Sequence, residues 1–335
     1  MSTIRDVARE AGVSTTTVSH VINRTRRVDP ATAAKVADAI DRLGYRPNAL
    51  ARSMRRGRTH TVGLVLPDIA NPFFGDLARA LEDALFEAGY SAIICNSDGD
   101  GEKESRYVDV LRSKQVDGML LIAATQPSDS LGDLGPDAPP TVIVDRELDA
   151  PGSSQVVVDN HRGGYLAGEH LLALGHRDIG VVTGPGGLGP TARRLEGFRA
   201  ALAAAGVGID DTRVYRGDFR SDSGRTALEL WLASGSCPTA VFAENDLMAI
   251  GVLHAAHAAD VDVPAELSVV GFDGIAFGAD VTPPLTTLAQ SPTDVAASAV
   301  ELLFERLRDR AVPARRIELP VHLVVRGSTA RRGDR

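Results

Sequence analysis

Residues 4–23 read IRDVAREAGVSTTTVSHVIN. Ile4, Val7, Ala8 and Ala11 recur at helical spacing, and Gly12 stands where such a helix stops. Ser14 then serves as the N-cap of a second helix with Val18, Val21 and Ile22 on its inner face. Ala8, Gly12 and Val18 have the spacing of a helix-turn-helix: a small residue where the helices cross, a glycine in the turn, an apolar anchor beyond it. Asp29-Pro30 caps a third helix that carries Ala33, Val36, Ala37, Ile40 and Leu43 and ends at Gly44. A three-helix domain is therefore expected over residues 1–46.

The second helix leaves polar side chains off its buried face. Thr15, Thr16 and His20 are the candidate readers of base edges, because the N-terminal part of such a helix enters the major groove. Ser14, Thr17, Ser19 and Asn23, with Thr3 ahead of the first helix, are candidate phosphate contacts. Helix spacing alone also fits an ordinary three-helix bundle. The charge distribution decides between the two. Residues 1–60 hold 12 Lys and Arg against 5 Asp and Glu, a charge of +7, and the remaining residues carry −15. A basic head on an acidic body points the head at a polyanion.

Residues 46–58 read RPNALARSMRRGR. Asn48 can cap a helix of about two turns, too short to be stable alone. Such a segment, residues 47–59, folds against a partner or on DNA, or else serves as a basic linker.

From residue 60 onward, apolar strand runs alternate with helical patterns. HTVGLVLPD precedes a helix over 74–88, SAIIC a helix over 102–113, and DIGVVTG a helix over 191–205. TAVFAEN and LSVVGFD continue the series. Repeated β-α alternation gives an α/β fold of doubly wound parallel sheets. There are too many units for one sheet, so two lobes are expected. Lobe 1 takes about 60–160 plus 291–320, and lobe 2 about 161–290 plus 321–335.

Ligands in such folds lie beyond the carboxyl ends of the strands. The residues there are Asp68, Asn71, Phe73 and Phe74; Asp145 and Arg146; Asp159 and Asn160; Phe219; Asn245 and Asp246; Asp273; and Gln290, with Arg194 early in the helix after DIGVVTG. Carboxylates, amides and arginines grip sugar hydroxyls in pairs, and aromatic faces stack on sugar rings. Any one of them could equally be a helix cap. Taken together, at one end of every strand, they predict a polar ligand cleft between the lobes.

Other patterns carry less. Gly184-Pro-Gly186-Gly-Leu-Gly189 fits G-x-G-x-x-G, but Pro185 and Pro190 remove donors that a pyrophosphate would need. His254 and His257 lie three apart with no evident third ligand, so no metal is expected. No nucleophile elbow or P-loop occurs, no catalytic pair stands out, and no cofactor is expected. Cys95 and Cys237 are expected as buried, reduced thiols. The polar N-terminus has no secretory h-region and no run is long enough to span a membrane, so a cytoplasmic, nucleoid-associated protein is expected.

IRDVAREAGVSTTTVSHVIN followed by RPNALARSMRRGRTHTVGLVLP resembles the lac repressor (LacI) family of bacterial regulators, in its purine and ribose repressor branch. The resemblance implies that the segment matching Asn48–Arg55 is a hinge helix, which pairs with its twin in the minor groove at the operator centre. Met54 stands where a leucine wedge is usual, Ala51 lets the backbone sit close, and Arg52 and Arg55 reach phosphates. The core resembles the family's effector domain, which is of periplasmic-binding-protein type. Asn71, Phe73, Phe74, Asp145, Arg146, Arg194, Phe219, Asn245, Asp273 and Gln290 match the sugar contacts of the periplasmic ribose-binding protein. Arg146 departs from the ribose repressor branch, which carries a tryptophan there.

The expectation is a DNA-binding repressor, not an enzyme. It would bind a palindromic operator as a homodimer, under the control of ribose or another sugar, and the family resemblance alone implies a central CG step in that operator. The stretch STARRGDR has no heptad pattern, which disfavours a tetramerising coiled coil without separating dimer from tetramer. A sugar-transport protein and a sugar- or nucleotide-modifying enzyme are the alternatives on the same fold. The basic head argues against the first, and the lack of a catalytic group against the second.

Overall fold

The computed structural model describes residues 2–23, 25–45, 58–123, 138–147 and 152–333. The expected hinge contacts Asn48, Ala51, Arg52, Met54 and Arg55 lie outside these residues. The chain divides into two compact units, residues 1–59 and 60–335.

The first unit holds α1 (Ile4–Ala11), α2 (Thr15–Asn23) and α3 (Pro30–Leu43). Thr3 caps α1 in a reciprocal capping box with Asp6, and Gly12 ends the helix at φ 66°. Asp29 accepts the Thr32 N–H at the start of α3, and Gly44 closes that helix at φ 55°. Val7, Ala8, Val18, Val36 and Ala39 form the buried centre. On α3 the periodicity misplaces one residue. Ala37 is exposed and Ala39 is buried, because Val36, Ala39, Ile40 and Leu43 make the stripe that meets the other two helices.

The second unit contains two six-stranded sheets. The first runs β11 (Arg316–Leu319), β5 (Ser154–Val158), β4 (Thr141–Val144), β3 (Gly118–Leu121), β1 (Thr61–Leu66) and β2 (Ser91–Asn96), all parallel. The second runs β12 (His322–Val324), β10 (Thr286–Ala289), β9 (Ser268–Asp273), β8 (Ala240–Ala243), β6 (Ile179–Thr183) and β7 (Val214–Arg216). It is parallel except where β12 pairs antiparallel with β10.

Helices cover both faces, as burial of the central strands requires. In the first lobe, α4 (Pro72–Glu87) and α10 (Pro292–Arg308) pack together on one face, where Val62, Leu64 and Leu66 point. Val65 points to the other face with Val108 and Leu111 of α5 (Gly101–Ser113). The second lobe carries α6 (Asn160–Ala173), α7 (Gly189–Ala204), α8 (Ser221–Ala233) and α9 (Asp246–Ala258). The chain passes from the first sheet to the second after β5, returns after β10 and passes back after β11. The α/β class and its parallel sheets are those expected from the sequence.

Helix starts fall earlier than periodicity places them. The helix expected from 74 begins at Pro72, capped by Asn71, and the one expected from 191 begins at Gly189, with Pro190 in its first turn. Cys95 is buried, but Cys237 is only half-buried, and both are free thiols. No helix among the described residues is long and apolar enough to cross a membrane.

Two helix pairs meet through glycines. A Cβ on Gly164 of α6 would lie 1.9 Å from the Arg194 carbonyl oxygen of α7, and one on Gly197 of α7 would lie 1.9 Å from the His161 oxygen of α6. Gly224 and Gly251 repeat the arrangement between α8 and α9. These obstacles are backbone atoms and cannot rotate away. Gly164→Ala is therefore expected to separate α6 from α7 and destabilise the unit by about 1–3 kcal/mol. Equilibrium urea unfolding followed by the single tryptophan, Trp231, measures this, and an unchanged midpoint would refute the close-packing argument.

Candidate functional site

The cleft is built where strands of both sheets end. Asp68 and Asn71 follow β1, Asp145 and Arg146 follow β4, and Phe219 follows β7. Asn245 lies just beyond β8, Asp273 is the last residue of β9, and Gln290 follows β10. All ten residues expected to bind ligand line one inner chamber: Asn71, Phe73, Phe74, Asp145, Arg146, Arg194, Phe219, Asn245, Asp273 and Gln290. Leu188 and Pro190 complete it. Sequence reasoning passed over these two because their loop was read only as a failed dinucleotide motif. Its place after a strand was the available signal.

The inner chamber has room for about 20 Å³, little more than one water. Asn71, Phe74, Arg146, Leu188 and Phe219 also line an outer chamber of about 410 Å³. Asp68, Asp98 and Asp218 with Arg220 stand among the outer walls.

Cap and ligand readings prove compatible. Asn71 Oδ1 accepts the Phe73 N–H at 3.0 Å, and Asn245 Oδ1 accepts the Met248 N–H at 2.9 Å. Asn245 Nδ2 also donates to the Phe219 carbonyl at 2.9 Å, which fixes the aromatic's backbone. Asp159 caps α6 through the Arg162 N–H and is not among the chamber residues. Asp145, Phe219 and Asp273 have φ of 66°, 68° and 110°. Three non-glycine residues held in the left-handed region around one cavity mark a site where the surroundings enforce unfavourable backbone.

Arg194 organises the floor. It is 4 % exposed, and its Nε donates to Asn160 Oδ1 at 2.8 Å. Its Nη1 donates to the Glu244 carbonyl and lies 3.9 Å from Asp273. The guanidinium sits 3.6 Å above the Phe272 ring. Gln290 Nε2 donates to Asp273 at 2.8 Å, while its Oε1 is buried without a hydrogen-bond partner. Burial pushes the Asp273 carboxyl well above its usual range, against the pull of Arg194. Burial also raises Asp145, with Arg194 and Arg146 opposing, and lowers Arg146. Closely spaced carboxyls and guanidiniums, an orphan acceptor and three phenyl rings suit a small polyhydroxylated ligand.

Gly184 of the G-x-G-x-x-G loop already donates its N–H to Glu244 Oε2 at 2.9 Å. That donor is withdrawn from any phosphate. His254 and His257 are exposed, and no cluster of three metal-ligating side chains occurs among the described residues.

In the first unit, Thr15 and Thr16 are exposed on the first turn of α2. His20 Nδ1 bonds with Thr25 Oγ1 at 2.8 Å, which leaves Nε2 as the ring nitrogen for another partner. Several expected phosphate contacts are engaged within the unit. Ser14 Oγ meets Thr17 Oγ1 at 2.9 Å and accepts the Thr17 N–H, and Asn23 Nδ2 donates to the Ser19 carbonyl and hydroxyl. Thr3 Oγ1 donates to Asp6 at 2.7 Å. Their hydroxyl oxygens and amides hold α1 and α2 in shape as well as facing outward.

Removing Arg194 strands Asn160 Oδ1, the Glu244 carbonyl and Asp273 in the interior. Arg194→Met is expected to cost about 3–5 kcal/mol in urea unfolding. Arg194→Lys should recover only part, since an ammonium cannot reproduce the forked geometry. Full recovery by lysine would show that charge alone matters here.

Residues 3–48 match the family described as bacterial regulatory proteins, lacI family, and residues 168–329 match the periplasmic binding protein-like domain. The ribose operon repressor of Escherichia coli (strain K12) is 41 % identical over 333 residues, covering 98 % of this chain and 100 % of that protein. The HTH-type transcriptional repressor PurR of Photobacterium profundum is 38 % identical over 329 residues, covering 98 % of each chain. The crystal structure of the lac repressor dimer bound to operator and the anti-inducer ONPF superposes with a TM-score of 0.88 at 28 % identity, over 98 % of this chain and 99 % of that one. The chain belongs to the lacI family of bacterial regulatory proteins, DNA-binding transcriptional repressors that carry a periplasmic-binding-protein-like ligand domain.

Proposed function

We propose that the chain binds a palindromic operator as a homodimer and is controlled by ribose or a closely related sugar. The observation that carries the effector reading is the inner chamber, in which ten side chains of sugar-binding character from both sheets converge. The relative named for the ribose operon supports it, and the relative named PurR keeps purines as the competing effector class. Asp145, Asp273 and Gln290 are the hydroxyl acceptors in this reading. Arg146 and Arg194 are the donors, and Phe73, Phe74 and Phe219 supply the stacking faces. The chain acts as a regulator, in the cytoplasm where the DNA is, and not as an enzyme.

The mechanism follows from room and linkage. A sugar that reaches both chambers touches residues from both sheets. Binding thereby selects one arrangement of the lobes. The change in operator affinity equals the sugar's differential affinity for the two arrangements, and it works in both directions. Thr15, Thr16 and His20 read base edges in the major groove. The segment at Asn48, Ala51, Arg52, Met54 and Arg55 docks at the operator centre, and Ser14, Thr17, Ser19, Asn23 and Thr3 hold phosphates.

Fluorescence anisotropy on promoter DNA at fixed salt tests both halves. Ribose is expected to shift the operator binding curve, while purine nucleosides leave it in place. A shift by purines alone would move the effector class and leave the repressor standing. A lack of preference for any palindrome over random DNA would refute the operator reading. Thr16→Ala and His20→Ala are expected to relax base choice at single operator positions by about 1–3 kcal/mol. Ser14→Ala should instead weaken all sequences alike and flatten the salt dependence. A uniform loss for all three would remove Thr16 and His20 from the reading role.

A further inference from the structure

Asp246 is the first residue of α9, next to Asn245, yet it lines neither chamber. It is fully buried. Capping of α9 falls to Asn245, whose Oδ1 accepts the Met248 N–H. The Asp246 carboxyl reaches away from its own helix. Its Oδ1 accepts the Thr287 hydroxyl of β10 at 2.6 Å, and its Oδ2 accepts the Ile275 N–H at 2.8 Å. The Gly274 N–H supports the same carboxyl. One buried acid thus gathers the start of α9, the strand β10 and the turn that leaves β9.

That turn carries an expected ligand contact in a costly conformation. Asp273, the last residue of β9, has φ 110°, and Gly274 after it has φ 76°. A residue with a Cβ rarely adopts this region and stays there only where its surroundings hold it. The turn is also wedged against β10. A Cβ on Gly274 would lie 2.6 Å from the Cβ and 2.8 Å from the Cα of Ala289, the residue before Gln290. The Gln290 N–H donates to the Asp273 carbonyl at 3.1 Å, and Gln290 Nε2 donates to Asp273 Oδ1 at 2.8 Å. The course of the turn therefore sets where both Asp273 and Gln290 present their polar atoms.

The seat of the carboxyl is as closely shaped as its bonds. A Cβ on Gly271 of β9 would lie 2.2 Å from Asp246 Oδ1. Gly271 pairs with Thr287 across the sheet, so the glycine that admits the carboxyl stands beside the threonine that orients it. Without this acceptor the buried Ile275 would keep an unpaired N–H, and the turn would have to move to satisfy it. We propose that Asp246 is a positioning residue of the cleft: it holds the turn at 273–275 in its left-handed course, and so aims Asp273 and Gln290 at the effector without touching it. The part concerning the effector rests on the reading of the cleft as a ribose site.

Three substitutions perturb this carboxyl to different degrees. Asp246→Ala removes both acceptor oxygens. Thr287→Val keeps the shape and removes one donor. Asp246→Asn keeps one oxygen for the turn and an amide that can donate to Thr287 Oγ1. Apparent Kd rises as the fraction of molecules with a held turn falls. The ribose Kd is expected to rise about ten- to a hundredfold in D246A, about two- to tenfold in T287V, and least in D246N.

Two readouts on the full-length protein test this. Calorimetric titration gives the ribose affinities, and it includes the D273A background. There most of the penalty should vanish, with D246A/D273A within about threefold of D273A, because the main group that Asp246 aims is gone. Hydrogen exchange needs no ligand. In D246A the amides of 274–275 should lose protection while those of 268–272 keep it, and D246N should keep both. Operator binding checks that each variant folds, and T287V, which lacks a single hydroxyl, carries the same test should D246A not fold. Equal loss of protection across 268–275 would show that Asp246 merely holds the lobe together and would overturn the proposal. So would wild-type ribose affinity in both D246A and T287V, or an undiminished D246A penalty in the D273A background. A turn released in D246A, with ribose inert toward wild type, would instead refute the ribose reading and leave Asp246's hold on the turn intact.

Discussion

The buried guanidinium of Arg194 is the contact on which the second lobe turns. A charge that is 4 % exposed is tolerable only if its donors are occupied and an opposite charge is near. Asn160, the Glu244 carbonyl and Asp273 meet those demands from α6, the end of β8 and the end of β9. The chain can meet them only if these elements converge on one point, so the electrostatics of one side chain constrain the relative placement of four elements. The cavity lies where that constraint is expressed, and the same charge lowers the cost of keeping Asp145 and Asp273 beside it.

Close packing makes the convergence geometrically possible. Arg194 reaches Asn160 because α6 and α7 approach until Gly164 faces the backbone of Arg194 itself and Gly197 faces that of His161. A side chain at either glycine would push the guanidinium off its acceptor. Packing and site chemistry are therefore one requirement here. Strain is drawn to the same place, with Asp145, Phe219 and Asp273 all at positive φ around the chamber.

Much of this was legible in the sequence, for identifiable reasons. Gly12, Gly44, Ser14 and Asp29 mark helix ends through local chemistry, which needs no tertiary information. The strands read as apolar runs, and the residues after them inherit a position at the cleft from topology alone. What stayed hidden depends on partners distant in sequence. Nothing local distinguishes Ala37 from Ala39 on α3, because their burial is set by where two other helices lie. Glu244 reads as one more carboxylate after a strand until Gly184, 60 residues earlier, is seen to donate to it. Leu188 and Pro190 were obscured by a motif that their own loop resembles.

The narrowness of the inner chamber bears on how a ligand could act at all. A ligand shifts the balance between two arrangements of the lobes only by its differential affinity for them. The inner chamber has room for about 20 Å³, and the outer chamber that shares five of its lining residues has about 410 Å³. The walls belong to both sheets, so a ligand that touches both favours the arrangement in which it meets both. Arg146, Phe74 and Phe219, proposed to contact the ligand, line both the inner and outer spaces. Recognition and rearrangement are thus carried by the same groups, and a substitution that tunes one alters the other.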